Sequence, residues 1–185
     1  ILPPKSLFDQ FFKSYFIIYT PRDIVSGDFY WLKPTKDFIY FATVDCTGHG
    51  VAGAFISMIA NSLLHQLVDS NPNRTPAEIL NALDKEVINA LHQGKYSESG
   101  SKDGLDITLC KLNPKSLFLE FAGAGNPLYI IRKGELTVFK TDPYSIGYKL
   151  NGKVFEYTHH EIQLESNDQL YLFSDGFAGQ LGGID

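Results

Sequence analysis

Three aspartates in this chain stand at the ends of apolar runs. Asp28 precedes Phe29-Tyr30-Trp31, Asp45 closes Phe38-Ile39-Tyr40-Phe41-Ala42-Thr43-Val44, and Asp175 follows Leu172-Phe173-Ser174. The turn residues Pro34-Thr35-Lys36 separate the first two runs, so the pattern predicts a hairpin. The start of one antiparallel strand lies beside the end of the next, which brings Asp28 and Asp45 to one edge. Two carboxylates placed together repel and raise each other's pKa unless a proton or a cation lies between them. Hard divalent cations are the natural partners of such oxygen ligands. Asp175 ends a later strand in the same way, and the three acids form the first candidate constellation.

A glycine-rich corner follows Asp45. Gly48-x-Gly50-x-x-Gly53 matches a dinucleotide-binding fingerprint and opens a helix. Asp45 would repel a pyrophosphate, and the helix leads to another helix rather than to a parallel strand, so a Rossmann reading is rejected. The glycines fit better as a place where backbone, Gly48 included, approaches a metal-bound phosphate at a helix N-terminus. His49, wedged between glycines, either faces that phosphate or is purely structural. Arg22 either binds a phosphate oxygen, which suits a guanidinium, or is an ordinary surface arginine. Asp106 reads as a strand-end residue. His65, His92, His159 and His160 read as structural or solvated. Gly147 to Val154 resembles a P-loop but has Val154 where a Ser or Thr must stand.

The elements that must position these residues follow from periodicity. Residues 5–13 read as a short amphipathic helix and 16–19 as a short strand. A helix runs from the glycine corner to about Val68, with Phe55, Ile59, Leu63 and Val68 on its inner face and Ile56, Leu64 and Leu67 beside them. Thr75-Pro76-Ala77-Glu78 supplies an N-cap, a first-turn Pro and a capping-box Glu for a second helix to about His92. The polar stretch 94–104 reads as a loop. The period then becomes two, with strands expected over 105–112, 116–122, 127–132, 135–139, 154–164 and 168–174. Short turns between them imply antiparallel pairing. The fold class expected is α+β: two packed antiparallel sheets with helices outside.

The bulk numbers set limits. The 185 residues suit one domain. With 14 Phe and 10 Tyr the composition leans toward strands, and a net charge of −5 without a basic run argues against nucleic-acid binding. No apolar run approaches the ~20 residues of a membrane helix, and the N-terminus lacks the pattern of a signal peptide. The abrupt start reads as a piece of a longer protein. Cys46 and Cys110 sit in or beside apolar strands and read as buried, reduced thiols, which suits a cytoplasmic location.

Five motifs taken in order carry a resemblance: Asp23-Ile-Val-Ser-Gly-Asp28-Phe-Tyr-Trp31, Asp45-Cys-Thr-Gly-His-Gly50, Gly104-Leu-Asp-Ile-Thr-Leu, Phe121-Ala-Gly-Ala-Gly-Asn126-Pro127 and Phe173-Ser-Asp-Gly176. Together they make the chain similar to the SpoIIE-like branch of the PPM-type metal-dependent protein serine/threonine phosphatases. The resemblance implies an α-β-β-α sandwich with two divalent ions, manganese or magnesium, at one end of the paired sheets. It implies that Asp28 ligates one ion, Asp45 bridges both, the backbone carbonyl of Cys46 completes a shell, and Asp175 ligates the other ion. The reaction implied is hydrolysis of phosphoserine or phosphothreonine on a partner protein by a metal-activated water. The family's further aspartate, borne on a C-terminal strand after another helix, has no counterpart before Asp185, so the expected domain lacks that helix and strand. The division expected is a linker helix and first strand over 1–20 and the phosphatase domain over 21–185. The resemblance also implies a sensor domain upstream, a homodimer, and a phosphorylated anti-sigma-factor antagonist as substrate. An inactive regulatory binding module of the same fold is the alternative.

Overall fold

The computed structural model describes residues 2–21, 23–91, 103–148 and 155–178. A single helical turn, α1 (Lys5–Phe8), opens the chain and is followed by the hairpin β1 (Phe29–Pro34) and β2 (Ile39–Cys46). Two helices come next, α2 (Gly50–Ser70) and α3 (Pro76–Ala90). Six strands follow, β3 (Leu105–Asn113), β4 (Phe118–Ala124), β5 (Leu128–Arg132), β6 (Glu135–Phe139), β7 (His160–Gln163) and β8 (Gln169–Tyr171), then the short helix α4 (Asp175–Ala178). The strands form a five-stranded sheet in the order β1-β2-β3-β4-β7 and a three-stranded sheet in the order β6-β5-β8. Every ladder between them is antiparallel. The α+β sandwich of two antiparallel sheets with helices outside is the fold that forms.

The two faces of the large sheet have different tasks. Phe29, Trp31, Tyr40, Ala42, Val44, Leu105, Ile107 and Leu109 point to one side and pack with Ile56, Ala60, Leu64 and Val68 of α2 and Ile79, Leu80, Leu83 and Val87 of α3. Cys110, Leu119 and Phe121 point to the other side and meet Leu128 and Ile130 of the small sheet. Where the small sheet does not reach, Phe8, Phe12 and Tyr15 of the N-terminal segment cover Leu32, Ile39 and Tyr30. Among the described residues the helical layer lies on the large sheet, and Leu136 and Val138 on β6 stay exposed.

Local signals explain the helices. Thr75 accepts from the Glu78 amide while Glu78 accepts from the Thr75 amide, and Pro76 occupies the first turn, so the expected capping box is present in full. On α2 the inner face differs from expectation: Gly53, Ile56, Ser57, Ala60, Leu64, Leu67 and Val68 are buried, whereas Phe55 is 62% exposed. The small residues Gly53, Ser57 and Ala60 let the helix lie close to the sheet, and that turns Phe55 outward. The 21-residue helix α2 contains an 18-residue window with a mean hydropathy of 1.5, which meets the length and hydropathy of a membrane-crossing helix and corrects the expectation that no such run exists. Packing on the sheet buries 39% of that window, while Val51, Phe55 and Met58 stay exposed.

Other boundaries shifted. Residues 16–19 form no strand: Phe16 and Ile18 are 67% and 72% exposed, and the segment attaches through rings, Phe16 to Tyr171 and Tyr19 to Tyr30. The helix expected over 5–13 closes at Phe8 and continues only as turns to Phe12. The strand expected from residue 154 pairs only from His160, opposite Phe121. Before it, the amides of Tyr157 and Thr158 bond to the side chains of Asn81 and Asp142 instead of a ladder. The loop expected over 94–104 lies mostly outside the described residues. Cys46 and Cys110 are free and buried, as expected.

Candidate metal and phosphate site at the end of the sandwich

The hairpin register puts the acids together. Phe29 pairs with Val44, so Asp28 stands one step further out beside Asp45, close enough for its charge to raise the Asp45 carboxyl. Asp106 lies directly opposite Asp45 on the other flank. Directly opposed residues of an antiparallel pair project from the same face, so Asp28, Asp45 and Asp106 form one row across β1, β2 and β3. The next row inward holds Tyr30, Thr43 and Thr108, and the next Phe41 and Cys110. The inner face thus passes from carboxylate to hydroxyl to hydrocarbon, and the charged row lies at its rim.

The small sheet supplies the other side of the site. After β8 the chain turns into α4, where the Ser174 hydroxyl donates to Asp28 Oδ2 at 2.6 Å and the Asp175 amide donates to Asp45 Oδ2 at 3.2 Å. Asp175 itself is exposed, and its charge bears on both Asp45 and Asp106. The structure therefore brings Asp28, Asp45 and Asp175 to one place, as the strand-end pattern predicted.

The glycine corner is built by backbone-to-backbone contact. Thr47 clasps Gly104 through its amide and hydroxyl, tying the end of β2 to the start of β3. Gly48 and Gly50 hold φ of 85° and 62°, the left-handed region that favours glycine. A Cβ on Gly53 would lie 2.6 Å from the Gly48 carbonyl oxygen and 3.1 Å from Gly27 Cα. The third glycine of the fingerprint thus serves contact between α2 and the Gly27 turn. A Cβ on Gly27 would lie 3.0 Å from both the Cys46 and the Gly48 carbonyl oxygens, so the Cys46 carbonyl faces the turn that carries Asp28. His49 precedes α2 without capping it; its ring is exposed and its Nδ1 lies 3.5 Å from Asp23 Oδ2. Its contact is with Asp23 and not with the row of acids. Arg22 lies outside the described residues.

The electrostatics follow from crowding. Burial and the Asp28 charge push the Asp45 carboxyl up to about 7, against the opposing hydrogen bond from the Asp175 amide. Burial raises Asp106 as well, with a hydrogen bond to Ser145 opposing and the Asp175 charge adding to the rise. Burial and the same acids raise the Cys46 thiol far out of the range of a nucleophile, so this cysteine offers its carbonyl only. Among the described residues no three acidic, His or Cys side chains already surround one point at ligand distance. The donor set nonetheless fits a divalent cation: every donor is an oxygen, the Asp28–Asp45 pair lacks a positive charge between its members, and Asp106 Oδ1 is buried without a partner.

Sequence reasoning passed over Ser174, Gly27 and Gly125 and took Asp106 as a strand end. Ser174 sits inside the Ser-Asp-Gly motif and could have been found there. Asp106 stands at the start of β3 as read, and it too lies inside a motif, but its place beside Asp45 depends on pairing between strands separated by two helices.

A sandwich of two antiparallel sheets with few helices is the fold of PP2C-type phosphatase domains. The family model for stage II sporulation protein E matches residues 36–182, and the chain belongs to the SpoIIE family. The SiaA PP2C domain of Pseudomonas aeruginosa is 31% identical with a TM-score of 0.83, over 99% of this chain and 69% of that one. The PP2C phosphatase domain of SpoIIE from Bacillus subtilis, solved with a fragment of its regulatory domain, is 22% identical over 83% of this chain and 42% of that one, with a TM-score of 0.63. RsbX, solved in complex with magnesium, is 16% identical over 84% of this chain and 69% of that one, with a TM-score of 0.62. These last two share the fold. Comparison with curated proteins gave no match.

Proposed function

We propose that this chain is a metal-dependent protein serine/threonine phosphatase that hydrolyses phosphoserine or phosphothreonine on a bacterial signalling partner. The observation that carries the reading is the Asp28–Asp45 pair at the rim of one sheet, with Asp175 brought to it by the other. Asp28, Asp45, the Cys46 carbonyl and Asp175 are the oxygens that would hold two divalent ions, manganese or magnesium. Such ions supply activation of water and neutralisation of the phosphoryl oxygens as the ester bond to serine or threonine breaks.

The protein's own residues do the positioning. Ser174 orients Asp28, and the Asp175 amide orients Asp45, so one sheet aims the ligands of the other. The uncompensated acids repel a phosphate, so the substrate enters only with cations present. With the Cys46 thiol buried and protonated, and with phosphate attacked by water, no covalent phosphoenzyme is needed. His49 and Gly48 stand at the outer corner, where they would face the incoming phosphate, and Arg22, next in sequence to the Asp23 that His49 contacts, would join them. Ile24, Val51 and Phe55, all well exposed beside that corner, suit a protein partner rather than a small metabolite.

The proposal extends to the organisation of the protein. Residues 21–185 carry the phosphatase unit, and 1–20 are a lead-in, packed on β1 and β2, from a sensor domain upstream. A homodimer, a cytoplasmic location consistent with two free buried thiols, and a phosphorylated anti-sigma-factor antagonist as substrate complete it. The test is hydrolysis of p-nitrophenyl phosphate titrated with manganese, with Asp45→Asn alongside. Metal-dependent turnover lost in the variant supports the reading. Absence of turnover at every manganese concentration refutes it and leaves a binding module of the same fold.

A further inference from the structure

We propose that Asp106 is a member of the metal-binding row, contributing its carboxylate beside Asp45 to divalent-cation binding. The inference rests on the phosphatase reading and names a residue that reading does not include. Three observations carry it. Asp106 is the direct cross-strand partner of Asp45, so its carboxylate leaves the sheet on the same face and at the same rim. Its Oδ1 is buried and makes no hydrogen bond, although buried polar atoms are ordinarily paired. Finally, the chain makes room for it. A Cβ on Gly125, which has φ of 77°, would run into the Asp106 carboxylate. The Gly125 amide is in turn fixed by the Asp142 carbonyl at 2.8 Å.

A structural role for Asp106 accounts for less. A strand-end residue that served only to bond Ser145 needs one oxygen, and an asparagine would make the same bond without placing a third charge beside Asp28 and Asp45. Placing like charges directly across a ladder destabilises the sheet. A cation shared along the row removes that cost, because a single divalent ion neutralises two of the three charges.

Manganese binding to the EDTA-stripped protein, read by calorimetry and by the manganese-induced rise in Tm, tests the proposal without activity. Asp106→Asn should weaken manganese binding by about 10- to 100-fold and raise the Tm of the metal-free protein, since it removes a like charge. Asp106→Glu, which keeps the charge, should bind manganese more tightly than Asp106→Asn. Asp106→Asn with wild-type manganese affinity, or a metal-free form that is less stable or fails to fold, assigns a structural role and overturns the proposal. Asp45→Asn separates the two levels of the argument. If the wild type responds to manganese, Asp45→Asn does not, and Asp106→Asn matches the wild type, only the role of Asp106 falls. If the wild type itself shows no response, the phosphatase reading falls with it.

Discussion

Replacing Gly53 with alanine tests whether the α2 corner positions the site. The new Cβ would lie 2.6 Å from the Gly48 carbonyl oxygen, against ordinary contact from 3.4 Å, so backbone must yield by about 0.8 Å. The atoms in the way are the Gly48 carbonyl and Gly27 Cα, both backbone, and Gly27 is the residue before Asp28. Alanine gains about 0.8–1 kcal/mol over glycine inside a helix, while overpacking costs about 1–3 kcal/mol. The net loss is at most about 2 kcal/mol, which lowers Tm by no more than about 8 °C in a chain of this size. The site suffers more, because a misplacement near 1 Å can cost ~100-fold in rate. The expected result is at least a tenfold loss of kcat/KM on p-nitrophenyl phosphate at saturating manganese, with a cooperative unfolding transition retained. A variant with native Tm and kcat/KM within twofold of wild type would refute the claim that this contact positions Asp28.

Other perturbations address the frame. Asp168 accepts from Arg132 at 2.6 Å and from the Glu165 amide at 2.8 Å, and the Arg132 hydrogen bond holds its carboxyl below the usual range. A depressed folded pKa gives stability that is present above the unfolded pKa near 3.8 and lost as pH falls through the folded one. Asp168→Asn should therefore cost about 1–3 kcal/mol at pH 7 in urea melts, and its gap from wild type should narrow below pH 4. Lys111 is 4% exposed and pairs with Glu120 at 2.8 Å while lying 4.2 Å above the Phe38 ring. Lys111→Met should cost about 3–5 kcal/mol by stranding Glu120, and adding Glu120→Leu should recover part of the loss in a double-mutant cycle. Thr75→Ala removes one half of the capping box and should cost about 1 kcal/mol in the same melts.

Local chemistry made much of the protein legible from its sequence. The hairpin, its turn, the capped α3 and the alternation of β3 to β6 depend on neighbours within a few residues, where propensity and periodicity act directly. The meeting of Asp28 with Asp45 belongs here too, because a two-strand register follows from its turn. The motif series was likewise enough to anticipate the family that the comparisons then showed. The tertiary structure decided what depends on distant partners. It placed Asp106 opposite Asp45 across two intervening helices, brought Ser174 onto Asp28 from the other sheet, and turned Phe55 outward so that Gly53 could meet Gly27. It also left 16–19 without a strand, held by the Phe16–Tyr171 and Tyr19–Tyr30 ring contacts instead of a backbone ladder, and it buried Lys111 against Glu120. Sequence spacing fixes which face a residue takes. Only the packing of one sheet on another decides which other charges wait there.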